Sequence, residues 1–188
     1  DWAGFSTTRG REDQTFKVVM GQLRPDEERS WSKTRSADGA ESIRVGFVSA
    51  VHLAGLDPRA SVASVLAELP VVSQHAHDAV GRVTGVTQTR AAATASIDWA
   101  GFTTTWGKEE QLFTVIKGQV RVSEEHGWWK SISADGSESI RVGYKDAAHL
   151  ASLDPNMALA DVLNELPVVT KYTYDEVARL ISVDPVAA

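Results

Sequence analysis

The chain has 188 residues, 43% of them hydrophobic and 23% charged, which are ordinary values for a globular protein. It contains no cysteine, which excludes disulfide scaffolds, thiolate metal sites and cysteine nucleophiles. Residues 1–90 carry no net charge and residues 91–188 carry the whole net charge of −6, which disfavours a nucleic-acid binder because that class needs Lys and Arg to neutralise phosphates.

Two segments repeat each other at an offset of 97 residues. Residues 1–5 recur as 98–102, both Asp-Trp-Ala-Gly-Phe, and Glu-Leu-Pro at 68–70 recurs at 165–167. About half of the positions are identical over roughly 88 residues without an insertion, which indicates a tandem duplication.

This repeat predicts three parts of the chain. Copy 1 spans residues 1–86, a linker spans 87–97, and copy 2 spans 98–188. The linker lacks large apolar residues at its centre, so we expect it to be exposed.

The first two-thirds of each copy is predicted to form strands, which in copy 1 cover 2–8, 15–24, 31–36 and 41–47. Gly21 and Gly118 interrupt the second strand at matching places and predict a bulge or a close backbone contact there. Asp38-Gly39 lies between two extended runs, which is typical of a tight hairpin whose central residues both have positive φ.

The last third of each copy is predicted to be helical. Ser49 and Asp146 are candidate N-caps of a first helix. Asp57-Pro58 and its equivalent Asp154-Pro155 are predicted to start a second helix.

A third helix is predicted from the capping-box pattern Thr173-x-x-Glu176. Its buried stripe would consist of Tyr174, Val177, Ala178 and Ile181. The predicted fold class is therefore α+β: each unit has an antiparallel, about four-stranded sheet followed by two or three helices, and a pseudo-twofold axis relates the units.

Histidines are the candidate titrating groups. His52 and His149 occupy equivalent positions in the two copies. His75-x-His77 resembles a metal pair, but copy 2 has Tyr172 at the position of His75 and a second tyrosine at that of His77, so we predict no metal and no cofactor. The nucleophile, phosphate-loop and zinc-protease motifs are absent, so no catalytic residue is predicted.

Six tryptophans are the most unusual feature of the composition. Trp106 and Trp129 replace Arg9 and Ser32 of copy 1, which indicates surface positions where aromatic area could bind a partner. The full set of candidate binding residues is Trp106, Trp129, Trp128, Trp31, Arg44 and Arg141.

Duplication, extra tryptophans and missing catalytic motifs together favour a non-catalytic interaction or assembly module with two related binding surfaces. A protein partner or self-association is favoured, and a glycan is the other ligand considered. The alternatives are an enzyme with its site at the junction of the copies and, second, a nucleic-acid-binding protein.

No apolar run is long enough for a membrane span. Because the sequence begins at Asp1, we expect a processed or excised piece, and the compartment stays open.

Overall fold

The computed structural model of the protein describes residues 6–186. Within that range the chain forms eleven strands and four helices of four to six residues. The strands are β1 (Ser6–Val19), β2 (Gln22–Ser36), β3 (Glu41–Gly46), β4 (Val71–His77), β5 (Val83–Arg90), β6 (Ala92–Ile97), β7 (Thr103–Ile116), β8 (Gln119–Ser133), β9 (Glu138–Arg141), β10 (Val168–Tyr174) and β11 (Leu180–Val186). The helices are α1 (Ala50–Ala54), α2 (Val62–Ala67), α3 (Ala147–Ser152) and α4 (Leu159–Val162).

The predicted α+β class is wrong, because the described chain is mostly antiparallel β-sheet. One eleven-stranded sheet passes through both copies, and the helices are single short turns beside it. Elements β1 to β5 and α1 to α2 recur as β7 to β11 and α3 to α4 at the 97-residue offset, with β6 between them. The division into 1–86, 87–97 and 98–188 stays a prediction.

The third helix does not exist; hairpins β4–β5 and β10–β11 take its place. The capping-box pattern is misleading because the chain turns sharply just after Tyr174. Asp175 accepts hydrogen bonds from the backbone N–H groups of Val177 and Arg179, at 2.9 and 2.8 Å, and so closes the turn. Tyr172 and Tyr174 share one face of β10 because alternate residues of a strand point to the same side.

Two long hairpins, β1–β2 and β7–β8, form the frame of the sheet. Each turns through two residues with positive φ, Met20 and Gly21 in the first and Lys117 and Gly118 in the second. The glycines therefore belong to turns, and the predicted bulge at Gly21 and Gly118 is wrong.

The predicted reversal at Asp38-Gly39 does join two antiparallel strands, β2 and β3. Only Gly39 has a positive φ, however, and the Gly39 N–H donates to Ser36 O at 2.9 Å. The turn is therefore wider than the predicted two-residue type. Residues 2–5 of the strand predicted over 2–8 lie outside the described range.

Both predicted caps of the first helix are confirmed. The Ser49 hydroxyl accepts from His52 N–H at 3.1 Å, and the Asp146 carboxylate accepts from His149 N–H at 2.7 Å. The cap predicted at Asp57 is wrong: Asp57 accepts from Arg59 N–H in a turn, and Ser61 caps α2 instead.

Four short strands connect the two long hairpins as two pairs lying side by side. Strands β3 and β6 join one half of β2 to β7, while β4 and β5 join the other half. One edge of β7 pairs with β8, and its other edge pairs with β5 and β6 and not with the equivalent strand β1. The copies follow each other head to tail, so the predicted pseudo-twofold relation is wrong.

The principal core lies where α1 and α2 cover the sheet. Its fully buried members include Val45 on β3, Leu53 on α1, and Ala93 and Ala95 on β6. The prediction of an exposed linker is therefore wrong, since small side chains in β6 allow the helices to approach the sheet closely.

Candidate functional site

The junction between the copies is closed by β6, which belongs to the sheet of both. On one edge it pairs with β3, with Ala95 opposite Ile43 and Ala93 opposite Val45. On the other edge it pairs with β7, with Ala95 opposite Trp106. One six-residue strand therefore pairs with both β3 and β7 and occupies the space between them.

Side chains from copy 2 complete the core of copy 1. The Trp106 indole N–H donates to Leu56 O at 3.2 Å, and Leu159 and Leu163 pack against the same cluster. The Lys108 ammonium lies 5.1 Å from the Phe47 ring centroid, a cation–π contact across the junction. The junction is therefore packed with side chains from both copies.

An ion pair crosses the junction on the sheet face away from the helices. Arg44 Nε lies 3.8 Å from a carboxylate oxygen of Glu109. Burial raises the pKa of Glu109, and the nearby Arg44 charge opposes that rise. The partly buried Glu109 carboxylate lies beside the Arg44 guanidinium. Because a carboxylate without such a partner would be unfavourable there, this contact favours the alignment of the two copies that brings these residues together.

The equivalent residues at the outer end of copy 2 lack this cover. Leu53 is 0% exposed, whereas its equivalent Leu150 is 50% exposed. Strand β3 continues to Gly46 along β6, whereas β9 stops at Arg141. We call this region the open end: the outer edge of β9 with the side chains of Ile140, Val142, Tyr144, Leu150 and Leu153.

The opposite end of the sheet carries the equivalents of the covering residues. Arg9, Arg11 and Glu12 on β1 correspond to Trp106, Lys108 and Glu109 on β7. A cleft of about 700 Å³ lies beside Arg9, and its lining also includes Lys33, Arg59 and Val62. We call this region the leading end: the outer edge of β1 with Arg9, Arg11, Glu12 and Val62.

The candidate binding residues do not form one site, because they lie on two faces of the sheet. Residues directly opposite in a ladder share a face, so Trp106 lies with Lys130, and Trp129 with Gly107. The helix-covered face holds Trp31, Trp128 and Trp106, while the opposite face holds Trp129, Arg44 and Arg141.

Trp31 and Trp128 are buried and tie β2 and β8 to the segments that follow α2 and α4. Their indole N–H groups donate to Glu68 O and Glu165 O, both at 2.7 Å. Trp129 lies over Gly127 and Gly107, where a Cβ atom would collide with its ring. Arg141 stacks 4.8 Å from the Trp129 ring centroid.

The histidine candidates make equivalent hydrogen bonds to glutamate side chains. His52 Nε2 lies 2.9 Å from Glu68, and His149 Nε2 lies 3.0 Å from Glu165. They occupy separate copies, and the structure does not bring them together at the junction. Each pair links the first helix of its copy to the segment after the second.

His75 and His77 lie on one face of β4, and the ring nitrogens of both are buried without a hydrogen-bond partner. Burial lowers the pKa of His77, and the charge of Lys17 adds to that effect. In copy 2 the equivalent tyrosine hydroxyls donate to Glu125 and to Val122 O. Within 6–186, no three His, Cys, Asp or Glu side chains gather as they would around a metal ion.

The residues that sequence reasoning missed are the alanines of β6 and the exposed side chains of the open end. Strand β6 lies between the two copies and takes no part in their comparison. The exposure of Leu150 has no sequence signal, because the residue is identical to the buried Leu53.

No family model, curated protein or solved structure matches this chain. Across residues 6–186, no helix has both the length and the apolar character needed to cross a bilayer.

Proposed function

We propose that this chain is a non-catalytic assembly module whose units join head to tail, with a second copy of this chain as the partner. One observation carries the proposal: Leu53 is buried at the junction of the copies, whereas its equivalent Leu150 at the open end is half exposed. The junction between copy 1 and copy 2 serves as a template for the contact between chains.

Three junction contacts have chemically compatible equivalents between the open end of one chain and the leading end of the next. The Arg44–Glu109 pair becomes Arg141 with Glu12. The cation–π contact of Lys108 with Phe47 becomes Arg11 with Tyr144.

The third contact changes donor but keeps its acceptor. Trp106 donates to Leu56 O at the junction. The leading end has Arg9 at this position, and its guanidinium can donate to the equivalent carbonyl of Leu153. Replacing an indole by a hydrated guanidinium reduces the apolar area, so the contact between chains should be weaker than the junction within a chain.

The mode of joining predicts the kind of assembly. The open end and the leading end are different surfaces, so their contact is heterologous and each added chain leaves a new open end. We therefore expect open chains that lengthen with concentration, and not a closed dimer.

Sedimentation velocity from about 1 µM to about 1 mM tests this, since a contact worth about −4 kcal/mol is half-formed at the upper limit. The average mass should rise continuously. Leu150→Glu should suppress that rise, whereas Val51→Glu should not, because Val51 is an 84% exposed helix residue of copy 1.

A gain-of-function variant makes the test sharper. Arg9→Trp restores the junction residue to the leading end and should strengthen association, and adding Leu150→Glu should cancel that gain. Wild type and Arg9→Trp chains that both stay monomeric to about 1 mM would refute self-assembly. Equal losses of association in Leu150→Glu and Val51→Glu would also refute self-assembly.

A further inference from the structure

We propose that a pocket on the sheet face away from the helices binds one sugar residue. The pocket has a volume of about 240 Å³, and its lining comes from β2, β3, β4, β5, β7 and β8. That is the volume of about eight water molecules at about 30 Å³ each, which is enough for one sugar ring. The inference goes beyond the proposed function, because the pocket lies in the middle of the sheet and involves neither the open end nor the leading end.

Copy 2 shows which chemical group this place accepts. Strand β10 pairs with β8 in the same register as β4 pairs with β2, so Tyr172 and Glu125 are the equivalents of His75 and Glu28. The Tyr172 hydroxyl donates a hydrogen bond to a carboxylate oxygen of Glu125 at 2.9 Å. In copy 2, therefore, a hydroxyl group from within the chain satisfies the glutamate.

Copy 1 lacks that hydroxyl. An imidazole is shorter than a phenol, and His75 Nε2 lies 3.9 Å from a carboxylate oxygen of Glu28, beyond hydrogen-bonding distance. The Glu28 side chain lines the pocket and is 37% exposed, so it keeps room for a donor. A ligand hydroxyl can therefore take the place that the Tyr172 hydroxyl occupies in copy 2.

The rest of the lining suits the remainder of a sugar ring. Sugars present hydroxyl groups at their edges and C–H groups on their faces, so they need polar side chains beside apolar ones. Ser30, Ser73 and Gln111 supply hydroxyl and amide groups. Val86 and Phe113 supply apolar area on the same sheet face.

One of the amides is held in place by the sheet itself. Gln88 Oε1 accepts a hydrogen bond from the Gln111 backbone N–H at 2.6 Å, next to the point where β5 and β7 are aligned. This bond leaves the Gln88 amide nitrogen as a donor for the pocket. A donor that is already fixed loses less side-chain entropy when a ligand binds.

The charges around the pocket favour a neutral ligand. Arg44 lines the pocket and lies 3.8 Å from Glu109, while Glu28 adds a second carboxylate. An anion would be repelled by the two carboxylates, and a cation would be repelled by Arg44. A hydroxyl group both donates and accepts hydrogen bonds without carrying charge, so it matches this mixed lining.

Methyl glycosides of glucose, galactose, mannose and N-acetylglucosamine provide the probes. Each is titrated into the isotope-labelled full chain, held at a concentration where sedimentation finds only monomer, and backbone amide shifts are followed by NMR. At least one glycoside should give saturable shifts at residues 28–30, 73–75 and 111–113, with a dissociation constant of about 1 mM. Tetrahydropyran, a sugar-like ring without hydroxyl groups, should give no saturable shift.

Two exchanges taken from copy 2 give a matched pair of variants. His75→Tyr supplies the missing hydroxyl from within the chain and should weaken binding about tenfold or more. His77→Tyr makes the same exchange two residues further along β4, outside the pocket lining, and should leave binding unchanged. Glu28→Gln should weaken binding about tenfold, because an amide oxygen accepts hydrogen bonds less strongly than a carboxylate. The spectrum of each variant without ligand reports whether it is folded.

No saturable shift with any of the glycosides would overturn the sugar site. Unchanged binding in both His75→Tyr and Glu28→Gln would overturn it as well. Saturation by tetrahydropyran would have the same consequence, since the pocket would then recognise apolar area and not hydroxyl groups. The concentration dependence of the sedimentation does not bear on this pocket, so the two proposals fail separately.

Discussion

Leucine truncation at two equivalent positions tests the asymmetry between the copies directly. Leu53→Ala removes three buried carbon atoms, at about 0.8 kcal/mol per buried CH₂, and leaves a cavity, so it should cost about 3–4 kcal/mol. Leu150 is half exposed, so Leu150→Ala should lose about half of the transfer energy, with no cavity because solvent reaches the site. Its cost should be about 1 kcal/mol.

Urea denaturation of dilute, monomeric chain followed by tryptophan fluorescence measures this difference. With a slope of about 2 kcal/mol per molar urea, the midpoint of Leu53→Ala should lie about 1 M below that of Leu150→Ala. Two midpoints lowered equally would refute the reasoning, because they would mean that Leu150 is covered in solution as fully as Leu53.

Three further predictions follow from individual contacts. Trp106→Ala should cost about 3–5 kcal/mol of unfolding free energy, whereas Trp129→Ala should cost less, since it lies outside the core; urea midpoints compare them. Hydrogen bonds from the backbone N–H and then the side chain of Arg179 lower the pKa of Asp175. Asp175→Asn should therefore lower the melting temperature above about pH 4, and the difference from wild type should disappear at lower pH, where Asp175 is protonated; thermal scans at several pH values measure this. Replacing His52 and His149 by Ala should cost under about 1 kcal/mol each and leave sedimentation unchanged; lost association would contradict their structural role.

Strand β3 and the reversal before it were predictable because their signals are local, whereas the strand predicted over 15–24 is wrong because the chain turns back at Met20 and Gly21. The alternation of Ile43 and Val45 and the glycine at position 39 are visible without knowing the partner strands. The caps at Ser49 and Asp146 follow for the same reason.

The last third was not predictable because its pattern fits two structures. Thr173-x-x-Glu176 before apolar residues fits a helix start, yet Tyr172 and Tyr174 also alternate as in a strand. Pairing of β10 with β8 and β11 selects the strand, and that pairing joins distant parts of the chain.

The candidate site was the least predictable part, because burial here depends on neighbours and not on residue type. Trp106 was expected at the surface because Arg9 occupies its place in copy 1. The exchange instead reflects position in the sheet: Trp106 packs against copy 1 at the junction, and Arg9 lies at the leading end.

Because β6 belongs to the core of copy 1 but lies outside its sequence repeat, the repeat and the segment that forms one complete core have different boundaries. A cut at the copy boundary would remove from copy 1 the six residues that seal its hydrophobic interior, although they lie outside its repeat. Insertion of one complete 97-residue period that includes β6 would add one more such strand together with a neighbour on each side. A unit could therefore be gained without leaving an interior uncovered where units meet.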